Sequence, residues 1–192
     1  MEEAVRKYER IIMGIDPGTN VMGYGVLGVN GKTPELVVMG VIKLNRIGDH
    51  YMRLRRIYER VLELVEQYVP DELSIEAPFC GKNVQSMLKL GRAQGVAMAA
   101  ALSRQVPIHE YPPTSIKQSV TGRGSATKEQ VAEMLRHILH IPREQMPHLL
   151  DATDALAAAL THFYESSRPA VAKGPKSWAS FLAQNPGRIV KR

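Results

Sequence analysis

The chain is short of several things at once. It has one cysteine, Cys80, among 192 residues, so no disulfide can form within it, which fits a reducing compartment. No apolar run comes near the ~18 residues that a membrane-spanning helix needs; the nearest, Val96 to Leu102, is short and alanine-rich. The stretch Met1 to Arg10 carries charges of both signs and lacks an apolar segment of the signal-peptide kind. The expectation is a cytoplasmic protein with no membrane partner. Acids are missing after Ser166, where Arg168, Lys173, Lys176, Arg188, Lys191 and Arg192 account for the whole formal charge of +6. They are scarce between Ala77 and Lys128 as well. There Glu110 stands alone against Lys82, Lys89, Arg92, Arg104, Lys117, Arg123 and Lys128. Such segregation suggests a polyanion partner, with a solvated basic face as the plain alternative. His50, His109, His137, His140 and His162 show no spacing that suggests zinc.

With 44% hydrophobic residues, there is enough for one α/β domain with a sizeable core, plus a tail. Ile11 to Ile15 is an apolar run that stops at Asp16-Pro17-Gly18, a strand entering a turn. Met22 to Asn30 and Leu36 to Leu44 are two further strands, joined through the turn signal Asn30-Gly31. Short connections make the three an antiparallel meander. The apolar period then turns helical through Leu54, Ile57, Tyr58, Val61, Leu64, Val65 and Tyr68, and Pro70 ends it. Leu73 to Glu76 is a short strand. Val84 to Arg104 is a helix rich in small residues, whose Gly91 and Gly95 suit close approach of another element. Pro107 to Tyr111 is a fifth strand, Pro112-Pro113 a break, and Gly122 to Ser125 a loop. Thr127 caps a helix to about His140, and a last helix covers about Asp151 to Glu165. The order β-β-β-α-β-α-β-α-α predicts a mixed five-stranded sheet with helices on both faces, the order of the ribonuclease H-like fold. After that the chain turns Pro-, Gly- and Lys-rich, as a tail would. Trp178, Phe181 and Leu182 form a small apolar cluster there, which either packs back on the domain or serves as a contact motif.

Four carboxylates stand out by position. Asp16 ends the first strand, Glu76 ends the fourth, and Asp151 and Asp154 open the last helix on one face. Each alone has an ordinary explanation: a turn residue, an N-cap, an acid favoured by a helix dipole. Together they are harder to dismiss. In a meander-first sheet the first and fourth strands are neighbours at the centre, and the last helix can cross their ends. Two carboxylates ~5 Å apart repel by roughly 3 kcal/mol at an effective dielectric of 20. Divalent cations relieve that repulsion, and an oxygen-only donor set suits Mg2+ or Mn2+.

Four segments carry a resemblance. IIMGIDPGTNVMGYGVL, ELSIEAPFCGKNVQSMLKLGRAQGVA, YPPTSIKQSVTGRGSATKEQV and HLLDATDALAAALTH resemble, in the same order, the two strand-borne acidic motifs, the basic loop and the acidic helix of the RuvC family of Holliday junction resolvases. The resemblance runs from about Ile11 to His162. It implies a nuclease domain over residues 1–166, with 167–192 as a basic tail. It implies metal ligands at Asp16, Glu76, Asp151 and Asp154, holding two Mg2+ per active site, with Mn2+ able to substitute. Lys117 and Lys128 match basic residues that approach the scissile phosphate. Phe79 is implied to wedge at the crossover, and Lys82, Asn83, Lys89, Arg92 and Arg123 to contact DNA. A homodimer built through the helix after Glu76, nicks leaving 5′-phosphates, and cooperation with RuvA–RuvB are also implied. Ala77-Pro78 is stiffer than the pattern leads one to expect, which bears on how Phe79 is presented. The segment around Trp178 extends past the common core.

Other residues carry weaker signals. His148 is either an extra ligand or a solvent-facing residue. The Gly122-Arg123-Gly124 turn is either a phosphate grip through backbone N–H groups and Arg123 or a flexible solvent turn. Cys80 reads as packed rather than reactive. Two rival functions stand beside junction cleavage: an ATP-using phosphotransferase on the same fold, for which 192 residues leave little room, and a non-catalytic junction-binding scaffold.

Overall fold

The computed structural model describes residues 7–78, 83–168 and 183. Strands β1 (Arg10–Asp16), β2 (Val21–Asn30) and β3 (Thr33–Lys43) are followed by helix α1 (His50–Tyr68), β4 (Glu72–Glu76), α2 (Val84–Leu102) and β5 (Ile108–Tyr111). Helices α3 (Pro113–Thr121), α4 (Lys128–Ile138) and α5 (Asp151–Ser167) complete the fold. The sheet order is β3-β2-β1-β4-β5. β1 to β3 form the expected antiparallel meander, while β4 pairs parallel with β1 and β5 parallel with β4.

Alternation along the strands sends side chains to two different cores. Met13, Ile15, Leu73 and Ile75 pack against Ile57, Val61 and Val65 of α1 and Ala93 and Ala97 of α2. Ile12 and Leu27 face the other way, toward Ile116 of α3, Leu135 of α4, and Leu156 and Leu160 of α5. The sheet is therefore covered on both sides, and α5, buried from Ala152 to Phe163, is the most enclosed helix. It also lies closest to the sheet. A Cβ on Gly14 would sit 1.9 Å from the Ala155 carbonyl oxygen, so only glycine lets β1 and α5 meet at backbone distance.

The helix ends follow their chemistry. Asp49 accepts from the Met52 N–H to start α1, and Val69 enters the left-handed region (φ 45°) to end it before Pro70. Thr127 and Gln130 close a capping box on α4. One element departs from the sequence reading. Pro112-Pro113 does not break the chain into a loop but starts α3, with Pro113 at the first helical position, where its missing N–H is not needed. Ile116 and Val120 give this short helix its buried face. Among the described residues no helix is long and apolar enough to cross a membrane.

Candidate active site: an acidic cleft at the ends of the central strands

The register fixes the first two acids. Ile15 lies opposite Ile75 in the parallel β1–β4 pair, so the next residues, Asp16 and Glu76, end the two strands side by side. The two-residue period puts both on the α5 side, with Gly14 and with Ser74, whose hydroxyl donates to the Ala158 carbonyl at 2.8 Å. The second pair comes with α5. Gly23 lies opposite Asp16 in β2, and a Cβ there would fall 1.8 Å from the Asp151 carbonyl oxygen. The first turn of α5 is thereby pressed onto the strand end that carries Asp16. Asp151 is the first helical residue, not the N-cap, which is Leu150, and Asp154 follows one turn later on the same face.

Lys128, the first residue of α4, donates to the Asp154 carboxylate. A cleft of about 120 Å3 is lined by Glu76, Lys117, Lys128 and Asp154, with Ile116 and Val131 as apolar wall. The acids feel one another through this low-dielectric setting. Burial first, then the charges of Glu76 and Asp154, push the Asp16 carboxyl up to about 8, against the opposing pull of Lys128. Burial and the Asp154 charge raise Glu76 while Lys128 and Lys117 oppose. Burial raises Asp154 despite its hydrogen bond from Lys128. Partial burial works against the charge on Lys128, but its bond to Asp154 and the charges of Asp16 and Asp151 outweigh that and raise its pKa. Acids held in this way have carboxylate oxygens as their donors, with no thiolate or imidazole among them. That set fits a hard divalent cation such as Mg2+ or Mn2+, whose charge would offset the repulsion.

None of the other described DNA-contact candidates lines this cleft. Lys89 and Arg92 are exposed on α2, and Asn83 accepts from the Ser86 N–H as its N-cap. Phe79, Cys80, Lys82 and the Trp178 cluster lie outside the described residues. His148 is exposed, without a hydrogen bond among the described residues. In the Gly122-Arg123-Gly124 turn the backbone part of the phosphate-grip reading does not hold, while its Arg123 part is untouched. The Gly122 N–H donates to the Gln118 carbonyl, the Arg123 N–H to Thr121 Oγ1 and the Gly124 N–H to Gln118 Oε1, so all three donors are committed. The Arg123 side chain remains exposed.

A second cluster, invisible in the sequence, lies toward the opposite ends of β4 and α5. Ligand-capable atoms of Glu72, His109 and His162 fall within 4.8 Å of one another. The imidazoles of His109 and His162 stack with centroids 4.0 Å apart, and Tyr111 Oη lies 2.7 Å from His162 Nδ1. Burial, then the neighbouring His109, lowers His162 to about 4. Arg10 donates to Glu72 and to Ser166 Oγ and reaches within 3.3 Å of His162 Nε2. Its guanidinium supplies the positive charge a metal would bring, so the cluster reads as a staple joining β1, β4, β5 and α5.

The class that fold and site define is a ribonuclease H-like α/β domain with an acidic centre where its central strands end. Residues 12–162 match the family described as crossover junction endodeoxyribonuclease RuvC, and the chain belongs to that family. It is 61% identical to the RuvC protein of Bacteroides fragilis over 181 residues, covering 94% of this chain and 96% of that one. It is 58% identical to that of Porphyromonas gingivalis over 184 residues, covering 94% and 97%. Among solved structures, Thermus thermophilus RuvC in complex with a Holliday junction substrate superposes with a TM-score of 0.74 at 35% identity, covering 82% of this chain and 95% of that one.

Proposed function

We propose that this chain is a structure-selective endonuclease that resolves four-way DNA junctions by paired symmetric nicks during recombination and repair. Membership of the RuvC family and the likeness to a relative seen with a Holliday junction support the substrate. The observation that carries the chemistry is the cleft itself: Asp16, Glu76 and Asp154 are held with their pKa values raised by burial and by neighbouring carboxylates, Asp151 among them, with Lys117 and Lys128 beside them. Asp16, Glu76, Asp151 and Asp154 would hold two Mg2+ ions. Bound there, the ions would supply positive charge to both the attacking water and the leaving oxygen of an in-line displacement. Lys128 and Lys117 approach the non-bridging oxygens of the phosphate, and Lys128 gives up its hold on Asp154 to do so. The P–O3′ bond breaks, leaving a 3′-hydroxyl and a 5′-phosphate, with no covalent enzyme intermediate. The exposed bases Lys89, Arg92 and Arg123, with Lys82, Phe79 and Asn83, contact backbone and crossover and carry little sequence information.

Paired cutting would take a second copy of the chain, because each copy carries one cleft. The outer face of α2 presents Val84, Leu88 and Leu102 to solvent, with open space over Gly91 and Gly95. A two-fold dimer through this face gives two clefts for two strands of like polarity. Cooperation with RuvA–RuvB and a cytoplasmic location complete the reading. The test is a synthetic four-way junction incubated with and without Mg2+. Symmetric nicks that need the metal and are sealed directly by DNA ligase, which requires a 5′-phosphate, are the expected result. Junction binding without metal-dependent nicks would favour the scaffold instead, and tight ATP binding with no cleavage a phosphotransferase.

A further inference from the structure

Between the β1–β2 turn and the first turns of α1 and α2 lies a second polar cavity of about 310 Å3, lined by Thr19, Asn20, His50, Arg53, Ser86 and Lys89. Among the described residues no carboxylate lines it. Asp49, its neighbour in sequence, turns its carboxylate to the Met52 N–H as the N-cap of α1. Three features suit it to an anion. First, α1 begins at His50 and α2 at Val84, so two helix starts border the cavity; Asp49 offsets the positive end of α1, while α2, capped by the neutral Asn83, keeps its own. Second, Arg53 forms the base. Its Nε donates to the Ile47 carbonyl at 2.5 Å, and its Nη1 donates to the Thr19 carbonyl at 3.0 Å and to Asn20 Oδ1 at 2.8 Å. That locks the turn after Asp16 onto α1 and leaves Nη2 with no partner among the described residues. Third, His50 lines the cavity, and its imidazole can offer a ring N–H to an anion. At the mouth, Ser86 and Lys89 are exposed, and Lys89 has no ion-pair partner among the described residues.

We infer that this cavity seats a backbone phosphodiester of the DNA strand that is cut, about three nucleotides or fewer from the scissile phosphate. The inference rests on the junction-cleaving reading above. The position follows from the chain: Thr19 is three residues beyond Asp16, so their Cα atoms are at most about 11 Å apart. A duplex strand advances about 3.4 Å per nucleotide. Seating a neighbouring phosphate in a rigid cavity of two helix starts fixes the register of the strand over Asp16 and Glu76 without reading a base. Arg53 both shapes the cavity and ties it to the turn that follows Asp16, so the two phosphate positions are set by one piece of backbone.

The test scans single methylphosphonate substitutions along the junction strand on both sides of the nick. Binding to the full chain carrying Asp16→Asn is measured, with His50→Ala and Lys89→Gln each added to it. The expected result is one position within about three nucleotides of the nick where removing the phosphate charge weakens binding about tenfold. At that position His50→Ala or Lys89→Gln suppresses the effect to below about twofold, as coupled groups do. Lys89→Gln should also reduce the slope of log Kd against log salt by about 0.9. Lys89 is exposed, so this variant keeps the test valid if His50→Ala disturbs α1. Junction binding and nicking by the unmodified chain, with no position whose effect depends on residues 50 and 89, would overturn the inference alone. Failure of the unmodified chain to bind or nick junctions would overturn the reading beneath it.

Discussion

At the scale of a residue, the strain of the acidic cleft concentrates on Asp16. Its carboxyl binds a proton more tightly folded than unfolded, because burial and the charges of Glu76 and Asp154 oppose ionisation. The stability it contributes is therefore complete below its ordinary value of 3.8 and is lost as pH rises toward about 8. Asp16→Asn removes that dependence. Without divalent ions the variant should be more stable than the parent at pH 8, by something of order 2–5 kcal/mol, and the difference should vanish near pH 4, as read by denaturant titration. Mg2+ should narrow the gap at pH 8 by stabilising only the parent, and should bind more weakly as pH falls and protons compete for Asp16. Junction cutting should fall by more than the roughly 10–100-fold that loss of an outer-shell partner costs, while junction binding persists. A variant that is less stable than its parent at every pH would contradict this account of the site.

At the scale of elements, α5 decides whether the cleft exists. Its first turn brings Asp151 and Asp154 to Asp16 because Gly23 and Gly14 have no side chains to hold it off. Gly23→Ala would place a Cβ 1.8 Å from the Asp151 carbonyl oxygen, and backbone is not a neighbour that yields. The variant should lose about 1–3 kcal/mol of stability and nearly all cutting. Val61→Ala, in the core on the opposite face, should lose comparable stability and keep cutting at temperatures where it is folded. Equal loss of cutting in both, measured at matched folded fractions, would show that α5 position is not what matters. Much of this arrangement could be read from the sequence. Asp16 and Glu76 fall at the ends of apolar runs, and a meander followed by crossovers makes their strands neighbours, as β1 and β4 are. Helix α3 was not legible, because Pro112-Pro113 signals a stop as strongly as a start and nine residues are too few to establish a period. The cavity at His50 was not legible either. It joins residues from a turn and two helix starts, and no spacing along the chain encodes that meeting. The same holds for Glu72, His109 and His162, which come together through strand register and one face of α5.

At the scale of the whole molecule, the proposed cutting of two strands requires two clefts held in fixed relation. The outer face of α2, with Leu88 52% exposed and open space above Gly91 and Gly95, is the surface that should join two copies. Leu88→Glu should convert a dimer in sedimentation to a monomer, leave the melting of each chain nearly unchanged, and turn paired nicks on a junction into unpaired ones. A dimer that survives that change would place the contact elsewhere. The most direct measurement of the central claim is the anomalous scattering of Mn2+ in crystals of the full chain. Two ions are expected, about 3.5–4 Å apart, among the carboxylates of Asp16, Glu76, Asp151 and Asp154. Crystals with no ion there, or with manganese gathered at Glu72, His109 and His162 instead, would contradict it.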